Sequence, residues 1–96
     1  MLHISLLQRV GAFAENKDIA RDIRLNELIP ALENDEAIVL DFEKIEGATQ
    51  SFIHALISDL MRQYGNGVLD KIRFKSCNAT IQEIISIVTD YMQERD

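Results

Sequence analysis

The stretch Ala37-Ile-Val-Leu-Asp-Phe-Glu-Lys-Ile-Glu-Gly-Ala-Thr-Gln-Ser-Phe52 decides how the rest of the chain is read. It opens on an apolar run, Ala37 to Leu40 and then Phe42, broken only by Asp41. A short run containing β-branched residues predicts a strand buried on both faces of a sheet. Glu43 to Ala48, with Gly47 inside it, has the composition of a turn. Thr49 stands at a helix cap position, because a 3.6-residue apolar rhythm starts directly after it with Phe52, Ile53, Leu56, Ile57, Leu60 and Met61. Strand, tight loop and helix therefore follow one another. In open α/β sheets the carboxyl end of such a strand, beside the next helix start, is the usual place for function. Ser51 falls in the first turn of that helix.

Working outward, Leu2, Ile4 and Leu6 alternate with His3 and Ser5, the period of a half-buried strand. Val10 to Ala14 reads as a second short strand, with Gln8, Arg9 and Gly11 in or near a hairpin bend. Asn16 caps a predicted helix through Asp18, Ile19, Ile23, Leu28, Ile29 and Leu32. Pro30 frees the Asn26 carbonyl, so a kink or two helical pieces meeting near Leu25 is expected. Tyr64-Gly-Asn-Gly67 ends the central helix. Lys71 to Cys77 alternates, Ile72 and Phe74 one way, Arg73 and Lys75 the other, as an edge strand would. Ile81, Ile84, Ile85, Val88, Tyr91 and Met92 make a final amphipathic helix. Thr80 to Glu83 has capping-box spacing, and Asn78 is the alternative cap. Gln93 to Asp96 are expected to fray. The order is β-β-α-β-α-β-α. It predicts one α/β domain over residues 1–96, a mixed, mostly parallel four-stranded sheet with helices packed against it.

Composition narrows the function. Net charge is −6 and the pI about 4.8, which argues against a nucleic-acid or anionic-membrane binder. One cysteine allows no internal disulfide and no cysteine-based zinc site. No apolar run approaches the roughly 18 residues that span a bilayer. Met1 to Leu7 lacks a basic region and a cleavage site, so no signal peptide and a cytoplasmic location are expected.

Chemistry-bearing residues are sparse. His3 and His54 have no metal-ligand spacing, and His54 reads as a boundary residue with a satisfied ring. Cys77, between a strand and a helix start, reads as a structural thiol in preference to a reactive one. Asp41, Glu43 and Glu46 form an acidic loop, exposed and solvated, with Mg²⁺ binding at Asp41 and Glu43 as its alternative. Lys17, Arg21 and Arg24, mixed with Asp18, Asp22 and Glu27, read as a solvated helix face. No catalytic residue, cofactor or resident metal is expected. Thr49-Gln-Ser51 then stands out. As plain structure it is a capped helix start. A phosphate on Ser51 would bring about −1.5 to −2 charges to the positive end of a helix dipole, changing a neutral surface to a negative one without unfolding it.

Val39-Leu-Asp-Phe-Glu43, Gln50-Ser-Phe52, Leu56, Phe74 and Asn78-Ala79 together resemble the STAS domain of anti-sigma factor antagonists. They resemble more closely a STAS-like family of unknown function found as small bacterial proteins. The resemblance runs from about Phe13 to Met92 and implies a STAS-like fold. In the antagonists an Asp-Ser-Ser-Gly-like turn follows the central strand. Its second serine is phosphorylated by a partner kinase that doubles as the anti-sigma factor. The family's aspartate falls on Thr49, its first serine on Gln50, its phospho-acceptor on Ser51 and its glycine on Phe52, the last a departure from the pattern. The resemblance implies a non-catalytic regulatory module that docks through Glu46, Gly47, Thr49, Gln50 and Ser51 on a histidine-kinase-like ATP-binding protein. Two alternatives stay open: a small metal-assisted enzyme using Asp41 and Glu43, and an assembly subunit that forms a homodimer through a sheet edge or the last helix, where Ile87 lies off the main stripe.

Overall fold

The computed structural model describes residues 1–93; part of the segment expected to fray, residues 94–96, lies outside the described residues. Along the chain run β1 (Leu2–Ser5), α1 (Leu6–Val10), β2 (Phe13–Ala14) and α2 (Lys17–Ile23). A π-helical turn (Arg24–Leu28) joins α2 to α3 (Ile29–Glu33). Then follow β3 (Ile38–Asp41), β4 (Gly47–Ala48), α4 (Gln50–Tyr64), a 3₁₀ turn (Asn66–Lys71), β5 (Ile72–Lys75) and α5 (Ala79–Gln93).

The main sheet has three strands in the order β1-β3-β5, both pairs parallel. All four residues of β3 are buried, as the apolar run predicts for a central strand. Leu2, Ile38 and Ile72 share one row across the sheet, and Ile4, Leu40 and Phe74 the next. These rows belong to, or pack on, the hydrophobic core. The opposite face carries His3, Val39 and Arg73, then Ser5, Asp41 and Lys75. Arg73 and Lys75 are exposed there, which agrees with the edge strand expected for β5.

The expected hairpin and four-stranded sheet are not what forms. Leu6 to Val10 is a short helix, and β2 pairs in parallel with β4 in a separate two-stranded sheet. The reason is geometric. Once β1 runs parallel to β3, the chain must leave the sheet at Ser5, and α1 carries it away; Gly11 at φ 78 then turns it. Phe13 and Ala14 meet the loop after β3 instead of the strand before them.

The helix from Asn16 behaves as its proline requires. Asn16 Oδ1 accepts from the Asp18 and Ile19 amides at 2.9 and 3.3 Å. The Ile29 amide bonds to the Arg24 carbonyl, five residues back, so the widened turn includes Leu25 and places Pro30 in the first turn of α3. Arg9 and Glu27 tie α1 to this turn through two bonds of 2.5 and 2.7 Å. Their hydrogen bond holds the Glu27 carboxyl below the usual carboxylate range. The helices α2, α4 and α5 lie side by side with α4 in the middle.

Candidate functional site

The start of α4 is built from residues with divided tasks. Thr49 is extended, and its Oγ1 accepts from the Phe52 amide at 3.1 Å. That satisfies one of the free amides that every helix start leaves. The Phe52 ring is fully buried, so this bulky residue adds nothing to the surface. Gln50 and Ser51 beside it are exposed. The hydroxyl singled out from sequence is therefore at the surface, in the first turn of the middle helix.

The loop that leads there is held from two sides. The Glu46 amide donates to the Ala12 carbonyl at 2.7 Å, and the Thr49 amide to the Ala14 carbonyl at 3.0 Å. On the other side Asn78 Nδ2 donates to the Ile45 and Glu46 carbonyls, 3.1 Å each. Asn78 Oδ1 at the same time accepts from the Ile81 amide at 2.9 Å and caps α5. Of the two caps read from sequence, Asn78 is the one used. Its second task, clamping the loop, has no signature in the sequence.

Of the expected docking residues, Glu46, Gln50 and Ser51 are exposed and Thr49 is partly so, but Gly47 is buried. Phe13, half exposed, lies over Gly47, where an added Cβ would sit 2.8 Å from Phe13 Cε1 and 3.1 Å from Cδ1. Gly47 is thus needed for close approach of a ring, and the ring takes its place at the surface. Gly47→Ala is expected to cost about 1–2 kcal/mol in urea unfolding. In a Phe13→Ala background the same change should be nearly neutral, and an equal cost in both would show that the ring is not the cause.

Ser51 opens onto a furrow along the outward side of α4. Its first part, about 560 Å³, is lined by Gln50, Ser51 and His54 of α4 and by Ile87, Val88 and Tyr91 of α5, with Lys17 at its far wall. Ile87, expected to lie off the buried stripe, is exposed. Tyr91, read as part of that stripe, is exposed as well. A second part, about 480 Å³, shares Lys17, His54 and Ala55 and continues between α2 and α4. Arg24 is fixed there: its Nη1 donates to the Ala55 carbonyl at 2.7 Å and pairs with Asp59 at 3.0 Å.

The other candidates have structural tasks. Asp41 is buried; its Oδ1 accepts from the Glu43 amide at 2.9 Å, and its Oδ2 lies 3.1 Å from His3 Nε2. It shapes the turn after β3, while Glu43 and Glu46 point outward. Among the described residues no group of three or more His, Cys, Asp or Glu is placed to hold a metal ion. His54 Nδ1 lies 3.1 Å from Ser58 Oγ, which also donates to the His54 carbonyl. Burial pushes the half-buried Cys77 thiol up, and the charge of Asp41 adds to the effect. A thiol held protonated is a poor nucleophile. Among the described residues no helix is long and apolar enough to cross a membrane.

No curated protein and no solved structure matched the chain. The model of the family described as STAS-like domain of unknown function (DUF4325) matches residues 20–82, from α2 through β3 and α4 into the start of α5. That span includes Ser51, the clamp at Asn78 and most of the furrow. The chain belongs to this family of STAS-like domains.

Proposed function

We propose that this protein is a non-catalytic regulatory module of the bacterial cytoplasm, which docks on a protein partner through the exposed residues of Glu46 to Ser51. Ser51 is its switch. A histidine-kinase-like ATP-binding partner phosphorylates Ser51, and the added charge repels the surface that tolerated the hydroxyl. The observation that carries this reading is the split at the tip of α4: Phe52 fully buried, Ser51 exposed beside it, and the intervening amide capped by Thr49. A kinase can reach such a hydroxyl without opening the core, and the helix dipole stabilises the product. Supporting it further, Asp41 and Asn78 beside the turn are occupied in shaping it.

Co-purification from the native host tests the proposal. The wild-type chain and Ser51→Ala are expected to retain an ATP-binding partner that Ser51→Glu loses. Recovery of all forms as free chains would contradict it.

A further inference from the structure

The chain carries six more acidic than basic residues, yet one surface reverses that balance. The second part of the furrow is lined by Lys17, Arg21, Arg24 and Arg62 against Asp18 and Asp59. Four of the ten Lys and Arg of the sequence thus converge on one groove. Asp59 is shared by Arg24 and Arg62, at 3.0 and 2.6 Å. Lys17 and Arg21, both exposed, have no ion pair among the described residues. The basic part adjoins the first part, with which it shares Lys17, His54 and Ala55, and there exposed Ile87 and Tyr91 stand on α5. One end is apolar, the other is cationic, and Ser51 sits at the apolar end.

We infer that this furrow receives an acidic amphipathic segment of a protein partner, its apolar side chains on Ile87 and Tyr91 and its carboxylates on Lys17, Arg21 and Arg62. The inference rests on the reading of the protein as a docking module and adds the chemistry of what docks. Complementary charge selects the partner and its direction along the groove, because a reversed segment would place carboxylates on Ile87 and apolar side chains against the Arg21 and Arg62 guanidinium groups. The apolar end supplies the buried contact that makes such complexes last. A nucleic acid is a poorer match: the net charge of −6 repels it at long range, and the apolar end has no use for phosphates.

The test is an amide chemical-shift titration of the full ¹⁵N-labelled chain with a synthetic peptide, two leucines one helical turn apart followed by a run of glutamates. The expected result is saturable shifts at Lys17, Arg21, His54, Arg62 and Ile87, with affinity that falls as salt rises. Arg21→Glu with Arg62→Glu should weaken binding about tenfold or more. Arg73→Glu, outside the furrow on β5, should leave it unchanged. Equal weakening by Arg73→Glu would show mere charge attraction and overturn the inference. So would tighter binding of a single-stranded oligonucleotide at the same residues, or an absence of shifts along α2 and α4. Shifts confined to Glu46 to Ser51 would reject the furrow and leave loop docking standing.

Discussion

Phe52→Ala is expected to cost about 3–5 kcal/mol, while Ser51→Ala, one residue away, stays within about 0.5 kcal/mol of wild type. The Phe52 ring is fully buried in the core that it shares with Leu40, Phe42 and Leu56. Removing it loses the transfer energy of the ring and leaves a cavity that neighbouring strands and helices fill only in part. Domains of this size have about 5–15 kcal/mol in total, so the variant should lose a large fraction of its stability. Ser51 is exposed and has no hydrogen-bond partner from its side chain among the described residues. Urea unfolding of both variants checks the contrast. A loss below about 1 kcal/mol for Phe52→Ala would place the ring outside the core, and a large loss for Ser51→Ala would make the hydroxyl structural.

Asn78→Ala carries the second largest expected effect, about 2 kcal/mol. It removes the cap of α5, worth about 1 kcal/mol, and two bonds to the Ile45 and Glu46 carbonyls that together contribute about as much at a partly exposed site. Asn78→Asp separates the two tasks. Aspartate caps about as well as asparagine but offers no donor, and it turns a carboxylate oxygen toward two carbonyl oxygens. A loss for Asn78→Asp of more than a few tenths of a kcal/mol therefore reports on the clamp alone. Amide exchange at Glu46 should quicken in both variants, because its bond to Ala12 loses the support on the other side of the loop. Unchanged exchange would mean that β2 holds the loop unaided.

What could be read in advance follows a simple division. β3, α4 and α5 announce themselves through their own residues: an apolar run broken only by Asp41, a Thr49 cap, and stripes of Phe52 to Met61 and Ile81 to Met92. Pro30 likewise carries its own consequence, a break in the helix near Leu25, which takes the form of the π turn at Arg24–Leu28. The failures are non-local. Two residues of β2 have no pattern of their own, and their pairing with Gly47 and Ala48 exists only because β1 lies parallel to β3. Leu6 to Val10 is too short to show a helical period. The basic residues Lys17, Arg21 and Arg24 are legible as part of a solvated helix face, although Arg24 is in fact held against α4. Their meaning changes when α4 sets Arg62 beside them and Ser51 in the same lining as Lys17, which spacing along one helix cannot reveal. Gly47 is similar: the turn composition was readable, the ring of Phe13 above it was not.

The central claim is that the exposed hydroxyl at the tip of α4 is a switchable recognition surface. A tryptic map of the protein isolated from its own host tests it most directly. Cleavage after Lys44 and Arg62 releases Ile45 to Arg62, a peptide whose hydroxyls are Thr49, Ser51 and Ser58. Thr49 is engaged as the cap and Ser58 is buried at 2 % exposure. The account predicts one phosphate, and fragmentation places it on Ser51. A peptide recovered only in unmodified form, or a phosphate on Ser58, would contradict it.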